Sequence, residues 1–395
     1  MEVHFYNAIE DIGHTLWNSL CGTDYPFIRY EFLHALETAG QDDPDIGAAC
    51  TRKNGWQPHH AIVFDGDAAI AAAPLYIKYH SYGEYIFDWA WSEAYQRNGL
   101  NYFPKLLGAI PYSPVTGTRI AISEAQLKNS DAIYQALTQA CIQACEKLNL
   151  SSLHFLYTKK SVSDALSHLP QPLTQRHSHQ YHWFNESKEQ KPYIDFDDFL
   201  SEFKSRKRKD LKKERQWVKD QDIELLRLSG ADINDALWDT FFDFYQRTYA
   251  KRSGHGGYLP KAFFLQLAKT MPEQILLVIA LQDGIAIAGA LNLFSSNTLF
   301  GRYWGCNQQA EFLHFEACYY QGIEFCIERG LSKFDAGAQG EHKVQRGFKP
   351  MNTWSNHWIQ HPDFREAINH FIKNEAEQVA SNIATTSQWL PFNKR

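Results

Sequence analysis

The sequence predicts an α+β protein made of two copies of one mixed-sheet unit, and three observations carry that prediction. Ala61–Ile77, AIVFDGDAAIAAAPLYI, reads as strand, Asp-Gly turn and strand, and Val278–Phe294, VIALQDGIAIAGALNLF, repeats the design with Asp283-Gly284 at the turn. Helical periodicity over Ala136–Leu150 leads through Ser151-Ser152 to a strand at Leu153–Tyr157. Glu316–Leu331 leads in the same way through Ser332-Lys333 to a strand at Phe334. A hairpin, a helix and a strand thus recur in one order in both halves, as a duplicated antiparallel meander with an added helix and strand would read.

Length and composition agree with two domains. At 395 residues the chain exceeds the usual single domain, and its 44% hydrophobic content with 14% aromatics excludes disorder. The net charge of -6 argues against a general nucleic-acid binder while leaving room for a local basic patch. No apolar run approaches a membrane span, and MEVHFYNAIEDIGHTLW carries acidic residues where a signal peptide has a basic region, so a cytoplasmic location is expected. Seven cysteines without a C-x-x-C pair read as buried thiols in a reducing compartment. The polar stretch NESKEQKP, Asn185–Pro192, marks the boundary, giving domains over 1–188 and 189–395.

In the first half, HSYGEYIFDWAW holds His80, Tyr82, Glu84, Tyr85 and Asp88 and is too polar and aromatic for a plain strand edge. His80, Tyr82 and Glu84 are candidate substrate-binding residues; the competing reading is structural tyrosines with a buried Glu-His pair. The run RHSHQYH, Arg176–His182, reads as a strand edge rather than a metal site, and no metal is expected. There is no G-x-S-x-G elbow and no P-loop.

The second half is richer in chemistry. Lys204–Arg215, KSRKRKDLKKER, has eight basic residues in twelve on an expected helix over 203–219, with Arg206, Lys207 and Lys213 exposed; it reads as a solvated face or as a phosphate-binding surface. Leu299–Trp304 reads as a strand carrying Arg302, Tyr303 and Trp304. Apolar residues Phe315, Tyr319, Gly322, Ile323 and Cys326 then recur at helical spacing up to a stop at Gly330. Lys333–Ala336 delivers Asp335 to a Gly-Ala-Gln-Gly turn followed by Glu341, His342, Lys343 and Arg346, more titratable groups than a packing turn needs. Candidate bases are Glu316, Asp335, Glu341 and His342, the last being the easiest to tune toward neutral pH. Against these stand a helix-dipole role for Glu316 and a turn-capping role for Asp335. Arg302 reads as a partner of Glu316 or Asp335, or as a clamp on an anionic substrate. Gly337, Gln339, Gly340, Lys343, Arg346 and Lys349, with Tyr303 and Trp304, complete the candidate binding set, the glycines marking positive φ or close ligand approach.

The blocks PLYIKYHSYGEYIFDWAW, YFPKLLGAIPYSPVTGTR, FGRYWG, LHFEACYYQGIEF and GAQGEHKVQRGFKP resemble a bacterial family of predicted N-acyltransferases, labelled peptidoglycan biosynthesis or recognition proteins. The strand, helix and strand ending in FDAGAQGEHKVQRGFKP resembles the second domain of the Fem peptidyltransferases, which are tandem GNAT-fold proteins. The resemblance implies two tandem GNAT-like domains and transfer of an acyl or aminoacyl group from acyl-CoA or aminoacyl-tRNA to an amine of a small-molecule, peptide or cell-wall-related acceptor. It implies that the second domain carries the chemistry, that the first binds the acceptor, and that the basic segment is placed to meet the phosphates of a nucleotide, coenzyme A or a tRNA acceptor end. A splayed strand, here Leu299–Gly305, would offer backbone N–H groups to the donor without a covalent enzyme intermediate. One departure is visible: Cys306–His314, CNQQAEFLH, lacks the glycines of the GNAT pyrophosphate loop. A degenerate, non-catalytic binding protein is the rival expectation.

Overall fold

A computed structural model describes residues 1–43, 47–86, 88–254, 256–338 and 340–393. The chain packs as two compact units, Met1–His179 with Tyr258–Pro260 and Asn352–Ser381, and Gln180–Gly257 with Lys261–Met351 and Asn382–Arg395. The strands are β1 Glu2–Tyr6, β2 Trp56–Pro58, β3 His60–Asp65, β4 Ala68–Ala73, β5 Leu75–Lys78, β6 Lys105–Gly108, β7 Ala121–Ile122, β8 Ser152–Thr158, β9 Thr174–Phe184, β10 Ile223–Ser229, β11 Ile275–Gln282, β12 Ile285–Phe294, β13 Thr298–Cys306, β14 Lys333–Asp335 and β15 Lys349–Ile359.

The duplication extends beyond the two hairpins. In the first unit β1 pairs β3, β3 pairs β4 and β5 pairs β6, all antiparallel, while β6 and β8 are parallel. In the second, β10–β11, β11–β12 and β12–β13 are antiparallel and β13–β14 parallel. Pro74, which has no N–H for a ladder, separates β4 from β5 where β12 runs unbroken. A parallel pair needs a crossover, and in both copies a helix supplies it: Ser130–Leu148 before β8, and the helical run from Leu313 to Arg329 before β14. Both helices end alike. Asn149 and Gly330 adopt the left-handed conformation, and the next N–H, of Leu150 or Leu331, donates to the carbonyl of Cys145 or Cys326 at 2.8 Å.

The last strand of each sheet does not follow its own copy. β14 is closed by the end of β9, with Asp335 opposite His182, and β8 is closed by the later part of β15, with His154 opposite His357. β9 follows the first copy in sequence and β15 the second, so the two copies exchange their closing strands.

Each unit has its own core. Leu75, Leu106, Leu153 and Phe155 pack against Ile133, Leu137, Cys141 and Cys145 in the first. Leu299, Phe334 and Trp183 pack with Tyr320, Ile323 and Cys326 in the second. Gly322 lets the second helix approach its sheet, since a Cβ there would sit 2.4 Å from the Phe334 ring.

Candidate functional site

In the second unit β14 ends at Asp335, opposite Phe300, while β13 continues through Gly301–Cys306 with β12 as its partner. The parallel pair therefore parts where Arg302, Tyr303 and Trp304 follow. Asp335 is fully buried and accepts the Gly337 N–H at 3.0 Å, the turn-capping use expected of Asp at this position. Burial would raise its carboxyl, but the His182 imidazole, with Nε2 at 3.5 Å from Oδ2, and Lys333 hold it well below the usual carboxylate range. From the other side Lys343 Nζ donates to the carbonyls of Ala336 and Gly337, 2.8 Å each. Burial brings this ammonium down to about 8, with Asp335 opposing the shift. Gly337 and Gly340 have φ of 87° and 114°, and a Cβ on Gly340 would strike the His342 ring at 2.6 Å. Gln339 lies outside the described residues.

His342 Nε2 is 2.8 Å from the Tyr319 hydroxyl, and its ring packs near Phe315 and His314 at centroid distances of 5.3 and 6.1 Å. Burial, then Arg346 and Lys343, lower His342 to about 4; burial and then His342 lower His314 to about 3. His342 is thus tuned away from neutral pH rather than toward it, and both imidazoles are uncharged there. Trp304 stands 5.3 Å from His314. Tyr303 is buried among Tyr245 and Phe264, a core position rather than a ligand surface.

Two candidates are braces instead. Arg346 donates from Nη2 to both Glu214 oxygens at 2.7 and 2.8 Å, from Nε to the Tyr320 hydroxyl at 2.9 Å and from Nη1 to the His342 carbonyl at 2.9 Å, with its guanidinium 3.4 Å from the Phe315 centroid. Glu316 receives Arg215 at 2.8 and 3.0 Å and the Gln321 amide at 2.7 Å, so the expected pairing with Arg302 gives way to Arg215. A π-helical turn over Glu316–Tyr320 rotates these residues off the α-helical spacing. Glu341 is exposed, and Lys349 is half-buried with Nζ 5.7 Å from the Phe184 ring.

The basic helix spans Ser205–Asp220. Arg206, Lys209, Lys212 and Lys213 are exposed, whereas Lys207 is half-buried, on the stripe that continues through Leu211, Glu214, Arg215 and Val218. In the loop after β13, Phe312 takes a φ of 61°, a conformation glycine would adopt without strain. The N–H groups of Leu313, Phe315 and Glu316 donate back to carbonyls of Ala310 or Phe312, closing the first helical turn.

In the first unit the Glu-His pair of the competing, structural reading does not form. Glu84 accepts from Lys105 at 2.9 Å, while His80 Nδ1 accepts the Tyr82 N–H at 3.2 Å and lies 3.3 Å from Lys78 Nζ. Tyr82 is exposed beside Trp89, ring centroids 5.4 Å apart. Sequence reasoning passed over Lys78, Lys105, His314 and Tyr319; the available signal was a lysine within the apolar runs LYIK and KLLG.

The model of the FemAB-like family, described as peptidoglycan biosynthesis/recognition, matches residues 8–394. No curated protein sequence matches the chain. Among solved structures, FemX is similar at a TM-score of 0.52 and 11% identity over 93% of this chain and 100% of its own. The C-terminal domain of a putative lysylphosphatidylglycerol synthetase from Agrobacterium fabrum gives 0.50 and 8% over 89% and 92%. A conserved protein of unknown function from Bacteroides thetaiotaomicron VPI-5482 gives 0.50 and 10% over 91% and 100%. These likenesses concern the fold alone. With the family model matched along nearly all of its length, the chain belongs to the FemAB-like family.

Proposed function

We propose that the protein is an N-acyltransferase that moves an acyl or aminoacyl group from an activated donor to an amine acceptor of cell-wall type. The parting of β13 from β14 carries this reading, because it exposes the edge of a strand where the donor's amide groups could pair. In this reading the second copy, 189–395, holds the donor and the chemistry, and the first, 1–188, receives the acceptor through His80, Tyr82 and Glu84. Direct attack of a neutral amine on the donor carbonyl needs no enzyme nucleophile, and none is required of Glu316 or Arg346. The Tyr319-His342 pair lines the turn as a neutral hydrogen-bonding couple, and Arg302 and Lys343 add positive charge near it. The absence of glycines from Cys306–His314 favours an aminoacyl-tRNA, or another carrier, over acyl-CoA.

Purified protein assayed against acyl-CoA and aminoacyl-tRNA donors, with amine acceptors from cell-wall precursors, tests the reading. Transfer is expected with the wild type, and His342→Ala should lose about 10²-fold in turnover while its melting temperature stays unchanged. A folded wild type inert with every donor favours the second reading, a non-catalytic recognition protein, to which the engagement of Glu316 and Arg346 as braces lends support.

A further inference from the structure

The basic helix over Ser205–Asp220 uses only one of its sides in the fold. Leu211 and Val218 are buried in two apolar clusters of the second unit, and Glu214 and Arg215 pair inward with Arg346 and Glu316. The other side faces solvent. Arg206, Lys209 and Lys213 are exposed and make no ion pair among the described residues, while Lys212 turns aside to Asp197 at 2.7 Å. At about 100° and 1.5 Å per residue, Arg206, Lys213 and Trp217 fall on one line roughly 16 Å long, with Lys209 beside it. Asp210 lies on the same line and leaves it net positive.

Two features do not belong to an ordinary solvated face. The first turn carries Arg206, Lys207 and Arg208 and no acid, although the helix dipole favours acids there. At the far end Trp217 is 51% exposed and packs against no other ring among the described residues. That end lies close to the candidate site. Gln221, one turn on, donates from its side-chain amide to the carbonyls of Trp217 at 2.9 Å and of Glu311 at 3.4 Å. Val218 packs in the cluster that holds Leu313, Phe312 and Trp304. The tryptophan end of the line therefore adjoins the loop running from β13 to His314, and the cationic end lies about three turns back along the helix.

We infer that this face binds the unpaired end of a nucleic acid, with phosphates along Arg206, Lys209 and Lys213 and an end base stacked on Trp217. A cationic track beside an aromatic ring holds unpaired strands without sequence preference, because every nucleotide brings a phosphate and every base a ring face. A duplex keeps its interior base faces covered, so it can use the cations with little gain from Trp217. A lipid surface fits less well, since a helix lying in a membrane needs a free apolar side, and here that side is in the core. The purpose of the surface rests on the acyl-transfer reading: an acyl group carried on an unpaired RNA end would arrive beside the loop that leads to His314 and Tyr319.

The test measures binding to the full chain of an RNA hairpin with an unpaired tail ending in a fluorescent adenine analogue, and of the same hairpin without the tail. The wild type should bind the tailed hairpin about 10-fold more tightly and quench the analogue, as stacking on a ring does. Trp217→Ala should erase both effects with an unchanged melting temperature, and Trp217→Phe, which keeps a ring, should retain most of them. Lys209→Glu with Lys213→Glu should weaken both hairpins alike, the mark of lost phosphate contacts. Equal affinity for the two hairpins, or a tail preference that survives Trp217→Ala, overturns the inference, as does sedimentation with anionic phospholipid vesicles in place of RNA binding. The readout needs no turnover. A chain that holds the tailed RNA yet transfers from no donor defeats the acyl-transfer reading alone, and one that transfers but ignores the tail defeats the surface alone.

Discussion

Lys343 fixes the turn after β14 with two hydrogen bonds, to the carbonyls of Ala336 and Gly337. Lys343→Met keeps the buried stem and removes both bonds, and should cost about 2 kcal/mol, the scale of leaving buried carbonyls unpaired, read as a shifted urea midpoint. His342 gives a pH signature. Its folded value of about 4 lies below the free-imidazole value of 6.5, so between those limits the unfolded chain binds the extra proton and stability rises with pH. Thermal melts should show a gain between pH 4 and 6.5 that is smaller in His342→Gln. Glu84 has the opposite sign: its value is raised from 4.5 to about 7, so its contribution is present below 4.5 and lost as pH rises through 7. The capping role of Asp335 was legible, because an Asp two residues before a Gly is a local device. The placement of Glu316 was not, because a π-helical turn adds a residue to the repeat that sequence spacing assumes.

The basic helix shows how much of an element its composition conceals. Eight cations in twelve residues made a charged helix legible, and Leu211 and Val218 mark its buried side, but the partners of Glu214 and Arg215 come from about a hundred residues further on. Arg215 joins Glu316 to Glu324, so Arg215→Met strands two carboxylates and should destabilise by about 3 kcal/mol in chemical denaturation, partly restored when Glu316→Gln is added. The outward cations carry a separate expectation. If the donor is a tRNA, affinity should fall steeply with salt, and Lys209→Glu combined with Lys213→Glu should flatten that slope without changing the melt.

At the scale of the whole chain, the hairpins and crossover helices announced the duplication, since each is local in sequence. The exchange of closing strands was invisible, since the pairing of β8 with β15 joins residues two hundred positions apart and no periodicity records it. Fragments 1–188 and 189–395 should therefore each lack a strand their sheet needs. Expressed alone, both should give broad, uncooperative melts and rapid proteolysis, and mixing them should restore a cooperative transition. Two independently cooperative fragments would contradict the exchange. The exchange also sets a timetable for synthesis. The N-terminal unit leaves the ribosome with one side of β8 uncovered and stays so until residues 352–359 have been translated, so its bare strand edge waits through the making of the other copy, the interval in which a chaperone would be needed most.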